Sequence, residues 1–168
     1  KAFEQYAALA VARAKARTVV PDVYTRTREA WMAAHPPGWI EYRESFEPRG
    51  RYGAWLRKRT ISTQVAGTLF MHAGLNPTAS PDDQAADAEK RVRAQIARID
   101  RFYDRLVDAK LALPFFSLNE MLEVAAGEIR AVNAVVAAAK ETGTAPDLGG
   151  FDLDLVREGA EMVRVGDW

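Results

Sequence analysis

The sequence predicts a mostly α-helical chain that carries one β-hairpin. Three observations lead there. Apolar residues recur at three- and four-residue steps through two long segments, Pro81 to about Lys110 and Leu118 to Val136, which is the period of a helix with one buried stripe. Each segment opens on a serine with an acidic residue three places on, Ser80-Pro81-Asp82-Asp83 and Ser117-Leu118-Asn119-Glu120. In such a box the serine accepts from the third amide while the acid reaches back, and proline suits the first helical position. Finally, Ile61 to Val65 alternates with period two, and Ala66-Gly67 turns it back onto Thr68 to Met71, as an antiparallel pair requires.

Taken in order, Ala2 to Ala33 reads as helix broken once. Phe3, Tyr6, Ala10 and Ala14 keep helical spacing, with Arg13, Lys15 and Arg17 on the polar side. Pro21 has no amide for the helix ladder, so a break near Val19-Val20 and a second helix from about Asp22 are expected, Asp22 favouring its exposed amides. His35-Pro36-Pro37-Gly38 stops that helix and makes His35 a linker residue. Trp39 to Phe46 is a loop or short helix pinned by aromatic burial, with Glu41, Glu44 and Glu47 on the wet side.

Pro48-Arg49-Gly50 leads into a short helix, Arg51 to Lys58, whose apolar side is Tyr52, Trp55 and Leu56. Arg49, Arg51, Arg57, Lys58 and Arg59 form the densest basic cluster of the chain. They serve either as helix-end charge and solubility or, for one or two guanidiniums, as a planar fork for phosphate oxygens. A hairpin alone is marginal in water, so the strands need partners. After Leu69-Phe70-Met71 the chain presents His72, with Gly74 free to take unusual backbone angles and Asn76-Pro77 turning away.

Beyond Pro77, the stripe of the first long helix is Val92, Ile96, Ile99, Tyr103 and Leu106. In the second, Leu118, Leu122, Ala125, Ile129, Val132 and Val136 form the expected packing seam. Glu141 to Gly150 is a Gly-, Thr- and Pro-containing link to a last helix, Asp152 to Val165. The domain boundary is placed at residue 79, with 80–168 a helical insertion or cap.

The composition sets limits. Twenty-three basic and twenty-three acidic residues balance, which argues against a broad nucleic-acid or anionic-membrane footprint. Without cysteine there is no thiol nucleophile or thiolate metal site. No apolar run approaches the roughly 20 residues that span a bilayer. With only His35 and His72, no local histidine cluster builds a complete zinc site.

Two blocks, Gly50-Arg51-Tyr52-Gly53-Ala54-Trp55-Leu56-Arg57 and Thr68-Leu69-Phe70-Met71-His72-Ala73-Gly74-Leu75-Asn76-Pro77, at their mutual spacing resemble the calcineurin-like metallophosphoesterases. The closest subgroup is the bacterial one related to serine/threonine phosphoprotein phosphatases. The resemblance extends more weakly through Pro36-Pro37-Gly38 and Leu113-Pro114-Phe115-Phe116. It implies an α/β parent fold, a β-sandwich flanked by helices, of which residues 1–79 are a central part. It implies hydrolysis of a phosphorylated protein or small phosphoester with two divalent ions, manganese, iron or zinc. His72 would bind one ion and Arg57 would contact substrate. The family's Asp-x-His, Gly-Asp-x-x-Asp and Gly-Asn-His motifs are absent, so the expectation is a fragment, inactive alone, with the other ligands in remaining parts of a parent chain. The rival expectation is a non-catalytic helical interaction module with the hairpin as a staple.

Overall fold

The computed structural model describes residues 1–17, 20–71, 78 and 80–166. Its elements are α1 (Ala2–Ala16), a 3-10 turn (Asp22–Tyr24), α2 (Arg28–Ala34), α3 (Trp39–Phe46) and α4 (Arg51–Leu56). They continue as β1 (Ser62–Val65), β2 (Thr68–Met71), α5 (Pro81–Asp108), α6 (Leu118–Thr142) and α7 (Leu153–Gly166). The chain is mostly helical with one antiparallel hairpin among the described residues, as the sequence predicts. It forms two compact units, Lys1–Arg43 with Phe102–Trp168, and Glu44–Arg101.

The first unit is built on α6. The Ser117 hydroxyl accepts from the Glu120 amide at 3.2 Å, and the Glu120 carboxylate accepts from the Ser117 amide at 2.8 Å, the reciprocal cap read from sequence. At the other end Gly143 takes a left-handed φ of 67°, which ends a helix at no steric cost to glycine. The buried face differs from the expected seam. It runs through Glu120, Met121, Val124, Ala125, Gly127, Glu128 and Ala131, while Leu118 is exposed and Leu122, Ile129, Val132 and Val136 are half-buried. The reason is chemical: two glutamates on the inward face find cationic partners, and a glycine admits a proline. A Cβ on Gly127 would lie 2.1 Å from Pro21 Cγ, so buried Pro21 packs on bare α6 backbone.

The expected second helix from Asp22 is corrected. Asp22 opens a single 3-10 turn, and Val23 and Tyr24 are buried. The Tyr24 hydroxyl donates to the Leu111 carbonyl, and the Tyr6 hydroxyl accepts from the Arg26 amide at 2.9 Å. These bonds satisfy the chain outside a helix ladder, and desolvation pushes both phenols above their ordinary range. The helix resumes at Arg28, where the Thr27 side chain accepts from the Ala30 amide at 3.2 Å. Arg13 and Arg17, expected on the polar side, are turned inward with side chains about nine-tenths buried. Phe102, Leu106, Phe115, Phe116 and Leu155 complete the core.

At the start of α7 the Asp152 carboxylate accepts from the Leu155 amide at 2.9 Å and faces Arg105 at 3.3 Å. The amide bond chiefly, with Arg105 adding to it, holds this carboxyl below its ordinary value. The unfolded chain therefore binds the proton first, so the contribution is complete above the ordinary value of about 3.9 and is lost as pH falls through the folded value. Asp152→Asn keeps an acceptor but removes the charge, and is expected to flatten the acid loss of thermal stability. Asp152→Ala is expected to cost about 0.5–2 kcal/mol at neutral pH as a lost cap. Thermal unfolding between roughly pH 6 and pH 3 checks both; equal acid slopes in the parent and Asp152→Asn would dismiss the linkage.

Candidate functional site

The second unit holds the residues that carry the sequence resemblance. Glu44 to Phe46 closes α3, and the Gly50 amide donates back to the Glu47 carbonyl at 2.8 Å. Helix α4 then lies backbone to backbone on that turn. A Cβ on Gly50 would sit 2.2 Å from the Glu44 carbonyl oxygen, and one on Gly53 2.0 Å from that of Glu47. Both glycines of Gly50-Arg51-Tyr52-Gly53 are thus required by close approach of main chains. This contact replaces the expected apolar side: Tyr52, Trp55 and Leu56 are about half exposed, and Gly53 is the buried residue of α4. The helix ends at Leu56, shorter than the reading to Lys58.

Arg57 follows as the helix cap, and its guanidinium is engaged on several sides. Nε and Nη2 donate to the two Asp100 carboxylate oxygens at 3.0 and 2.6 Å. Nη1 donates to the Phe46 and Gly53 carbonyls at 3.3 and 3.4 Å. A phosphate reaching this fork would have to displace Asp100.

Helix α5 next steers the chain into the hairpin. Arg93 donates to the Arg57 carbonyl at 2.8 Å and to the Arg59 carbonyl at 3.2 Å, and it pairs with Glu89. Glu89 accepts from the Ile61 amide at 2.8 Å, the bond that most holds its carboxyl below the ordinary range. From this clamp β1 runs out, and Ala66 and Gly67 turn it with φ of 49° and 79°, the angles of a tight two-residue hairpin. Ser62 pairs with Met71 and Val65 with Thr68. His72, the candidate metal ligand, is next in sequence after β2. It lies outside the described residues, as do Gly74 and Asn76-Pro77.

His35 is not the linker residue expected. It is buried in the first unit, stacked on Trp31 with ring centroids 4.2 Å apart. Nδ1 is 2.9 Å from the Trp31 carbonyl, and since a carbonyl only accepts, Nδ1 carries the proton of that bond. Nε2 is 3.3 Å from a Glu120 oxygen that also accepts from Arg26 at 2.6 Å. Sequence reading also missed Glu128, which joins Arg13 and Arg17. Among the described residues no group of three or more His, Cys, Asp or Glu side chains could hold a metal ion. These residues do not fit a two-metal centre, so no catalytic step is derived from one.

Comparison of the chain with protein-family models, with curated proteins and with solved structures returns no match.

Proposed function

We propose that this chain contributes the His72 segment of a calcineurin-like metallophosphoesterase, a metal-dependent hydrolase of phosphoric esters. The observation that carries the reading is the passage from Gly50 to Met71. Its two motif glycines seat α4 on a backbone turn, and an arginine clamp from α5 aims a hairpin whose last strand residue directly precedes His72. In this reading His72 gives one imidazole nitrogen to a divalent ion, while Arg57 braces α4 through Asp100. In this reading the remaining ligands come from remaining parts of a parent chain, since the family's other metal-binding motifs are absent from the sequence. The substrate class is a phosphorylated protein or a small phosphoester.

The test uses the protein translated from the complete reading frame. His72→Ala is expected to keep its fold and lose turnover on the order of 100-fold, the scale on which misplacing a reacting group is felt. His72→Asn recovers part of this at best, an amide oxygen being a poorer match than imidazole for a borderline metal. Gln64→Ala, on an exposed β1 position, serves as the control. This chain alone, with manganese and a chromogenic phosphomonoester, is expected to release phosphate only at background rate. Full turnover and metal content in a well-folded His72→Ala protein would reject the ligand, whereas absence of metal-dependent turnover in the unmutated full protein would favour a non-catalytic helical module.

A further inference from the structure

Helix α4 buries only Gly53. Its large side chains Tyr52, Trp55 and Leu56 are 48%, 54% and 46% exposed, and steps of three and four place them along one face. The Arg51 guanidinium lies over the Tyr52 ring at 5.7 Å and that of Arg59 over the Trp55 ring at 5.0 Å, within cation–π range. Charge around this face does not balance, although the whole chain is neutral. From Arg49 to Pro81 the sequence has five Lys or Arg residues, Arg49, Arg51, Arg57, Lys58 and Arg59, and no acidic one. Asp100 of α5 neutralises Arg57. The other four cations are exposed and form no ion pair among the described residues. The acids of α5 that reach this segment are committed: Asp100 to Arg57, and Glu89 to the Ile61 amide and Arg93. Glu44 and Glu47 belong to the turn on which the opposite, glycine side of α4 rests.

A contiguous exposed apolar face with a polar rim marks an interaction site, and a rim of one sign selects a partner of the other. We propose that the outer face of α4, with its flanking cations, docks an acidic protein segment whose carboxylates alternate with apolar side chains. Arg51 and Arg59 meet the carboxylates, and Trp55 and Leu56 meet the apolar side chains. A guanidinium over an aromatic ring still has its in-plane N–H groups to donate. A second copy of this chain suits the face poorly, because in a symmetric pairing the patch meets itself and sets cations against cations. A membrane gains little from three side chains on a six-residue helix, since even a myristoyl chain binds only marginally. Single-stranded nucleic acid needs ring faces for stacking, and a guanidinium already lies over each ring. This docking face is independent of the metallophosphoesterase reading.

The probe is a fluorescein-labelled peptide that repeats Asp-Leu-Glu-Phe three times, titrated with the whole chain and followed by fluorescence anisotropy. Saturable binding that weakens as salt rises is expected. The matching peptide with Asn and Gln in place of the acids is expected to bind at least about tenfold more weakly, as loss of charge-assisted pairs implies. Arg51→Gln combined with Arg59→Gln is expected to cost a similar factor. Trp55→Ala is expected to cost at least about tenfold, as removal of an aromatic anchor does. Leu56→Gln, also at an exposed position, takes its place should Trp55→Ala fail to fold. Lys140→Gln removes an exposed cation of α6 in the other unit and is expected to leave binding unchanged. No saturable binding, unchanged affinity in the double arginine variant, or an equal loss in Lys140→Gln overturns the site. Equal binding of the neutral peptide overturns the acidic partner. Tighter binding of phosphatidylserine vesicles or of oligothymidylate, lost in the same α4 variants, overturns the protein segment in favour of lipid or nucleic acid.

Discussion

Glu128→Ala is expected to lower the stability of the chain by roughly 3–5 kcal/mol, the cost of breaking a buried ion pair from one side. The Glu128 side chain is 5% exposed, and those of Arg13 and Arg17 are 10% exposed. Taking the carboxylate away leaves two largely buried guanidiniums without their shared counter-charge. Arg17 keeps its bond to the Gly150 carbonyl at 2.7 Å and its stack on the Phe151 ring, so Arg13 bears most of the loss. A paired change, Arg13→Met with Glu128→Leu, removes both charges and is expected to recover much of the deficit, as apolar replacements of buried pairs do. Urea unfolding with an unchanged slope measures both variants. A loss below about 1 kcal/mol for Glu128→Ala, the range of exposed pairs, would mean that solvent reaches this cluster.

Gly53→Ala is expected to destabilise the second unit by about 1–3 kcal/mol or more, as overpacking does. Helix propensity points the other way, since alanine in a helix gains about 0.5–1 kcal/mol over glycine. Sterics decide, because the new methyl would meet the Glu47 and Phe46 carbonyl oxygens at 2.0 and 2.2 Å. Those are main-chain atoms, which cannot rotate aside as a side chain can. Gly149→Ala is the matched control: its nearest contact is the Asp147 side chain at 3.4 Å, and it should be close to neutral. Amide exchange across Arg51 to Trp55 localises the effect. Unchanged protection there in Gly53→Ala would show that the backbone contact is looser than these distances.

Local chemistry explains what was legible in the sequence. Ser117 and Glu120 cap each other because the two residues carry all that such a box needs, and the Ala66-Gly67 turn likewise needs no distant partner. The buried face of α6 was misread because glutamate is ordinarily a wet residue. Yet Glu128 stands in helical phase with Met121, Val124, Ala125 and Ala131, and an acid inside an apolar stripe is the sign of a buried pair. Its partners Arg13 and Arg17 lie four residues apart on α1 and its cap, where they looked like solubilising charge. Arg57 reads as one of a basic cluster and, from the resemblance, as a substrate contact; its partner Asp100 lies 43 residues away, beyond any local pattern. For His72 the sequence remains the whole basis, as it lies outside the described residues.

The first unit draws on both ends of the chain, with the second unit's residues between them in sequence. During synthesis this imposes a delay. Arg13 meets Glu128 across 115 residues, which at cellular translation speeds is a wait of roughly 6–23 s. Throughout that time Val23 and Tyr24 lack the α6 face they pack on, and Tyr6 and Trp31 have only each other, Phe3 and, beside Trp31, His35 as ring neighbours. Consolidation of this unit is therefore a late event, after α6 has emerged, and its folding rate is governed by long-range closure rather than by helix formation. Nascent chains that stop before α6 should be the ones that chaperones retain.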